Sequence, residues 1–205
     1  MAYVLKATHD QFRDELAELN KIILTLAEKP ESTERDTHIE GCFIRLVVSW
    51  ECFVEEYFLR CMCKAKTRSR YEIKPHGAVS KNINDAFKKI NKNRKDRDKD
   101  FTDWLDAKML QQRIDDNFRK NSRVQKLCSS PDKMFELRVI RNAIAHRSPS
   151  AIAKFQKYVK EQMGYLATAK PSMASLLVQK RRNTNKLIFT ILSNYFSVLA
   201  DDLTK

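Results

Sequence analysis

The sequence predicts an all-α fold, a bundle of four to five up-and-down helices with a charged helical insertion, and three observations point that way. Breakers are scarce, with 3 Gly and 5 Pro in 205 residues, too few special turns for a sandwich, a barrel or a Gly-rich nucleotide fold. Hydrophobic residues make up 42% of the chain, enough to fill the core of one domain of this length. Apolar residues recur at three- and four-residue spacing through the long segments, the period of a helix packed on a core.

The first helix is expected over about residues 10–28, where Phe12, Leu16, Leu19, Ile23 and Leu26 share a face and Lys29-Pro30-Glu31-Ser32 ends the pattern. A longer helix starts near Asp36 and carries Ile39, Phe43, Leu46, Trp50, Phe53, Val54, Tyr57 and Cys61. That stripe is wide enough to meet two neighbours, which suits the centre of a bundle. The pattern stops over residues 67–80, and Pro75-His76-Gly77 marks a loop. An insertion, about residues 66–129, follows from weak hydrophobicity and high charge, with short helical pieces near 83–90 and 102–118. Its run 88–100 sets seven cations against Asp96, Asp98 and Asp100, suited either to a phosphate backbone or to plain solvation. Ser130 with Pro131 at the first helical position opens the next helix, which runs to about His146 or Arg147. Ser148-Pro149-Ser150 starts another through Phe155, Val159 and Met163, and a last helix covers about 185–203. No repeat or linker divides the chain, so residues 1–205 read as a single domain.

Lys plus Arg number 39 against 26 Asp plus Glu, a formal charge of +13, and the pI is about 9.6. Such a surplus is costly in self-repulsion unless a polyanion is a partner, nucleic acid first and an anionic membrane second. Five cysteines, an odd number, cannot all pair, and they read as reduced, buried thiols of a cytoplasmic protein. Cys61 and Cys63 point to different helix faces and have no second pair, so no zinc site is expected. No signal peptide is legible. The most apolar stretch, residues 43–62, holds Arg45, Glu51, Glu55, Glu56 and Arg60, which excludes a membrane span. No cofactor or metal is implied.

The segment from Met134 to His146 is the most informative. At about 100° per residue, Leu137, Ile140 and Ile144 form one core face, while Phe135, Val139, Asn142 and His146 line the opposite side. A helix apolar on both sides must bury both, and the second side ends in two polar groups one turn apart. Arg141 projects between the faces. The imidazole of His146 can take a proton from a ribose 2′-hydroxyl or give one to a departing 5′-oxygen. The Arg141 fork can hold phosphate oxygens and the charge that builds on them, and Asn142 can orient the ring. This chemistry needs no metal, leaves 2′,3′-cyclic phosphate and 5′-hydroxyl ends, and acts on RNA but not DNA. The bare spacing occurs by accident about 0.3 times in a chain with 16 Arg and 4 His, so context must decide.

That context resembles a known family. Arg141-Asn142-Ala-Ile-Ala-His146 is similar to the Arg-x(4–6)-His signature of HEPN domains in its Arg-Asn-x-x-Ala-His form. Arg45-Leu-Val-Val-Ser-Trp-Glu51-Cys-Phe-Val-Glu55-Glu56 resembles the second helix of RiboL-PSP-type HEPN proteins. The run Lys157-Tyr-Val-Lys-Glu-Gln-Met-Gly-Tyr-Leu166, with Lys170-Pro171 and the last helix, resembles their C-terminal part. The likeness covers about residues 5–65 and 130–203. It implies a HEPN-like bundle and a metal-independent endoribonuclease of anti-phage defence, abortive infection or a toxin–antitoxin system. Such an enzyme is a homodimer whose motif helices face each other, here through Phe135 and Val139, around a composite cleft with Arg141, Asn142 and His146 from each protomer. An antitoxin or regulatory partner is implied too. The Tyr two places beyond the His in toxins modified by a nucleotidyltransferase antitoxin is Ser148 here, so that form of control is not expected.

Glu51 is a supporting candidate that can orient Arg141 or His146. Arg138, Arg147, Arg119, Lys120, Arg123, Lys180, Arg181 and Arg182 are candidates for guiding RNA, and His9, His38 and His76 show no partner pattern. The alternative reading is a catalytically silent HEPN-like module that holds RNA or a protein. A third is a helical scaffold with no RNA affinity beyond that of its charge.

Overall fold

The helices start where caps, rather than apolar periods, allow. In the computed structural model, which describes residues 3–91, 103–163, 171–181 and 184–205, α1 spans Lys6–Ala27 and α2 spans Thr33–Met62. Ser32 accepts the Arg35 N–H at 3.1 Å, and Glu34 and Asp36 occupy the first turn. The helix therefore begins three residues before the apolar pattern suggests. The later helices are α3 (Ile83–Ile90), α4 (Ala107–Asn117), a 3₁₀ helix (Arg123–Cys128), α5 (Pro131–His146), α6 (Pro149–Met163), α7 (Met173–Leu177) and α8 (Ile188–Thr204). The described chain is mostly helical, as its composition predicts. Among the described residues no helix is long and apolar enough to cross a membrane. Of the residues singled out above, Arg182, the side chain of Met163, Leu166, Lys170 and residues 92–100 of the charged run lie outside the described ones.

Residues 67–80 are not simply a loop. β1 (Tyr3–Val4) pairs in parallel with β2 (Ala65–Lys66), which pairs antiparallel with β3 (Glu72–Ile73) in a small three-stranded sheet. The turn between β2 and β3 is tied by Thr67, whose N–H donates to the Tyr71 carbonyl at 2.9 Å and whose hydroxyl accepts the Tyr71 N–H at 3.1 Å. Two-residue strands are too short to show a period of two.

By packing, the chain divides into two compact units: Met1–Arg13 with Ser49–Pro131 and Ser197–Lys205, and Asp14–Val48 with Asp132–Phe196. The first holds an aromatic core in which Phe53 stacks on Phe12 and Tyr57 at centroid distances of 4.9 and 6.0 Å. Phe58 meets Trp104 at 5.4 Å and Phe118 at 5.2 Å. Trp104 is 1% exposed and donates its indole N–H to Glu55 at 2.9 Å. Leu110, Ile114, Val124 and Leu127 are buried with it, so the described part of the insertion belongs to a core.

His9, to which the sequence assigns no role, is 1% exposed. Its Nδ1 meets Asp10 at 3.0 Å and its Nε2 meets Asp201 at 2.6 Å, while Arg68 reaches Asp201 at 3.0 Å. The cluster joins α1, α8 and the β2–β3 turn. The Lys6 hydrogen bond, then the one with His9, lowers Asp10 from 3.8 to about 2. Burial alone would raise Asp201, but the His9 hydrogen bond and the charges of His9, Arg13 and Arg68 hold it low.

The second unit buries Leu16, Leu19, Ile23 and Leu26 of α1, Ile39, Phe43 and Leu46 of α2, Leu137 and Ile140 of α5, Phe155 of α6 and Leu192 of α8. Arg35, itself buried, donates to the Leu26 carbonyl at 2.9 Å and so caps the end of α1. Asn20 donates to Ser193 at 2.6 Å, bridging α1 and α8. The thiols of Cys42, Cys61 and Cys63 are buried as expected, but Cys52 is exposed and Cys128 half-buried. Cys52 falls off the apolar stripe of α2, so its outward direction follows from the helical period.

Gly41 stands inside the unbroken α2 with no packing that requires it. A Cβ there would meet nothing within 4 Å, and a helix-interior Gly costs about 1 kcal/mol relative to Ala. Gly41→Ala should therefore raise the melting temperature by about 2 °C in a thermal scan. Because Asp10 and Asp201 titrate lower in the folded chain than in the unfolded one, their stabilisation is complete above pH 4 and drains away as the pH falls from about 4 to about 2. Asp201→Asn should make urea midpoints measured across that window less dependent on pH.

Candidate functional site

α5 begins where the Ser130-Pro131 pair predicts, at Pro131, because Pro at the first position lacks only an N–H that no helix would use. Met134, Leu137, Val139, Ile140 and Ala143 are buried and Ile144 half-buried. The expected second face divides in a way the helical wheel does not show. Val139 is 7% exposed and belongs to the chain's own core, whereas Phe135 is 60% exposed. Of the two expected interface residues, only Phe135 offers surface. Val139 lies about 40° from buried Ala143 and about 100° from Ile140, so a broad core can reach round to it.

The helix stops at His146 because Arg147 leaves the helical region, with φ 46°, and Ser148-Pro149 follow. Pro149 disfavours a helical conformation at Ser148. Ser148 instead caps α6, accepting the Ala151 N–H at 3.3 Å through its hydroxyl and the Ile152 N–H at 2.9 Å through its carbonyl. The left-handed Arg147 sends its own N–H to the Ala143 carbonyl at 3.2 Å. Its guanidinium donates to Glu40 at 2.5 Å. Glu40 is a buried residue of α2 that the sequence reading missed; a Glu beside the core residue Ile39 gives no signal that its partner stands 107 positions away.

Arg141 donates from Nη1 to the Asn142 side-chain oxygen at 2.9 Å. Both are half-buried, and His146 is exposed at the last position of the helix. Five residues along a helix place Arg141 and His146 about 140° apart around the axis, whereas Asn142 and His146 are separated by about 40° and one turn. The Arg141–Asn142 bond thus draws the guanidinium toward the side of the helix that carries the imidazole. Fixing the amide oxygen on Arg141 also turns the Asn142 NH₂ donors the other way.

From 137 to 160 the sequence has no Asp or Glu, yet it carries Arg138, Arg141, Arg147, Lys154, Lys157 and Lys160. The three lysines are exposed along α6, and Lys157 meets Glu161 at 3.7 Å. Short of Glu161, the end of α5 and the exposed positions of α6 thus carry cations and a His and no acid, a composition suited to a polyanion.

A second polar cluster, also missed, lies on the first half of α5. Lys133 donates to buried Glu136 at 2.7 Å. The Tyr158 hydroxyl bonds to Glu136, and burial first, then that carboxylate, pushes the phenol well up, with Arg181 opposing. These side chains, with Ile188, Ile191 and Leu192, line a cavity of about 50 Å³. Arg181 is therefore placed beside a buried carboxylate.

The remaining candidates scatter. Glu51 is buried on α2 in the first compact unit, whereas Arg141 and His146 belong to the second. Arg119 and Lys120 are exposed past the end of α4. Arg123 lies over the Tyr71 ring at 5.6 Å, Lys126 meets Asp202 at 3.4 Å, and Lys180 is exposed. Among the described residues no three His, Cys, Asp or Glu side chains are gathered to hold a metal ion. Compared with known proteins, the chain matches no family model, no curated protein and no solved structure.

The different burial of Phe135 and Val139 has a direct consequence. Val139→Ala should cost about 2 kcal/mol, from two lost methyl groups and an unfilled space. Phe135→Ala should cost the isolated chain less than about 0.5 kcal/mol. Chemical denaturation of both variants checks this.

Proposed function

We propose that this protein is a HEPN-type, metal-independent endoribonuclease, with Arg141, Asn142 and His146 as its reacting set. The observation that carries the reading is that the Arg-Asn-x-x-Ala-His motif stands in a stretch, residues 137–160, that holds six cations and no acid. Arg141 and Asn142 are bonded to each other, and His146 is exposed where a strand of RNA can reach it. The resemblance of the α2 segment to its counterpart in RiboL-PSP-type proteins supports it, as does the +13 charge.

In this mechanism the imidazole accepts the proton of a ribose 2′-hydroxyl, and O2′ forms its bond to phosphorus. The bond from phosphorus to O5′ breaks, and O5′ takes up a proton. The products are a 2′,3′-cyclic phosphate and a 5′-hydroxyl. Arg141 donates to the non-bridging phosphate oxygens, whose charge grows as phosphorus becomes five-coordinate, and Asn142 keeps the guanidinium on the imidazole side. Lys154, Lys157 and Lys160 hold the flanking backbone through contacts that salt weakens. A single imidazole serves one proton transfer at a time, so a twofold partner that brings a second His146 completes the site. Phe135 is the apolar group α5 offers to such a partner. A defence or toxin role with an antitoxin or regulatory partner, in the cytoplasm, accords with this activity.

His146→Ala and Arg141→Ala should each abolish the appearance of cyclic-phosphate ends in total RNA, and any growth toxicity, while changing stability by less than about 0.5 kcal/mol. Cleavage should persist in EDTA. Undiminished cleavage by both variants would overturn the assignment, and salt-sensitive RNA binding without new ends would favour the silent module.

A further inference from the structure

We propose that the β2–β3 turn and the segment after α4 form a docking surface for single-stranded nucleic acid, with a base stacked on Tyr71 and phosphates held by Arg70, Arg119 and Lys120. This goes beyond the nuclease reading and does not rest on it, since these residues lie in the first compact unit, whereas Arg141 and His146 lie in the second. Hydrogen bonds gather three stretches of chain here. The Arg68 N–H donates to the Thr204 carbonyl at 2.8 Å and the Ser69 N–H to the Lys205 carbonyl at 3.3 Å, which ties the turn to the end of α8. The His76 N–H donates to the Asn117 carbonyl at 3.0 Å, and Arg123 lies over the Tyr71 ring, which brings the segment after α4 to the same turn. Arg119 and Lys120 stand on that segment, where the Ser122 N–H donates to the Arg119 carbonyl at 2.8 Å.

The charge gathered there is not balanced internally. Glu72 meets Lys64 and Lys74, Asp201 meets Arg68, and Asp202 meets Lys126, while Asp115 accepts from Gln111 and Gln125. Among the described residues, exposed Lys66, Arg70, Arg119 and Lys120 are left without a carboxylate partner, against one uncommitted acid, Asp116.

Arg70 occupies the left-handed region, with φ 66°, and its N–H closes the turn on the Thr67 carbonyl at 3.0 Å. A three-residue hairpin loop gives that position to glycine. An arginine there costs stability and meets no acid in return. Tyr71 comes next, with its N–H and its carbonyl both held by Thr67, and it is 58% exposed. A guanidinium over one face of the ring is favourable in itself, and the exposed ring still offers a surface to a partner. Unpartnered cations around an exposed aromatic ring fit a polyanion that also carries flat π faces, which is single-stranded nucleic acid. A duplex hides those faces, and an acidic polypeptide of glutamates has none.

The test uses the full-length protein and a fluorescein-labelled strand of about twelve deoxythymidines, read by fluorescence anisotropy. A deoxy strand has no 2′-hydroxyl to be cleaved, so the result is independent of the nuclease reading. Tyr71→Ala should weaken binding about tenfold and Tyr71→Phe less than about twofold, because the ring and not the hydroxyl does the stacking. Arg119→Glu with Lys120→Glu should weaken it about tenfold and flatten its dependence on salt. Arg70→Gly should weaken it about threefold while leaving the melting temperature unchanged or raised, a split that a residue kept for the fold would not show. On a duplex of the same length Tyr71→Ala should change affinity by less than about twofold. A 5-bromouracil strand cross-linked by ultraviolet light should mark the peptide that holds Tyr71, which separates this surface from the lysines of α6. The proposal is overturned if Tyr71→Ala leaves single-strand binding unchanged or weakens duplex binding as much. It is also overturned if Arg70→Gly lowers the melting temperature, or if cross-links fall only outside the first unit. Displacement of the strand by poly-glutamate at equal charge would overturn it too, and would assign the surface to an acidic protein. Should Tyr71→Ala fail to fold, the Arg119→Glu and Lys120→Glu pair and the cross-link still decide.

Discussion

The ion pair between Arg147 and Glu40 holds the one turn on which the arrangement of the candidate site depends. A non-glycine residue in the left-handed region is disfavoured by about 1–2 kcal/mol, and Arg147 occupies it at the junction of α5 and α6. Three things offset that cost: the carboxylate of Glu40, the continued N–H bond to Ala143, and the Ser148 cap of α6. Because α5 ends there, His146 stands at a terminus with open surroundings. Had the helix run on, the imidazole would share its surface with another turn of side chains.

Local signals were legible wherever neighbours in sequence settle the outcome. The span of α3 matches its expected 83–90, and Asn82 accepts the Asp85 N–H as its cap. Pro131 and Ser148-Pro149 marked two helix starts correctly. What could not be read is whatever depends on a distant partner. His9 and Asp201 lie 192 positions apart, Glu40 and Arg147 lie 107 apart, and no period encodes either pair. Val139 shows the same limit in another form. The wheel puts it opposite Leu137, but whether that side meets the chain's own core or a second protein depends on how many helices surround α5.

The net charge, read from composition, says only that an anion is welcome somewhere. The arrangement narrows this. In the first unit several cations are committed internally: Arg113 lies over Trp104, Arg68 meets Asp201, and Lys126 meets Asp202. Along α6 the lysines face outward, with Glu161 the one acid at the end of the run. Excess charge that is not used to hold the fold is available to a polyanion, and such charge gathers beside the motif.

Some departures from helical and packing rules are met within the folded chain: buried His9 has a carboxylate at each ring nitrogen, the Trp104 indole has Glu55, and left-handed Arg147 has Glu40. Two in the second unit are open to the outside. Gly41 weakens a helix without improving any contact, and Phe135 presents a ring to solvent. Features that cost stability and return none within the folded chain persist where function needs them. That these stand in the same unit as Arg141, Asn142 and His146 is a physical reason to test that unit first for contacts the chain itself withholds.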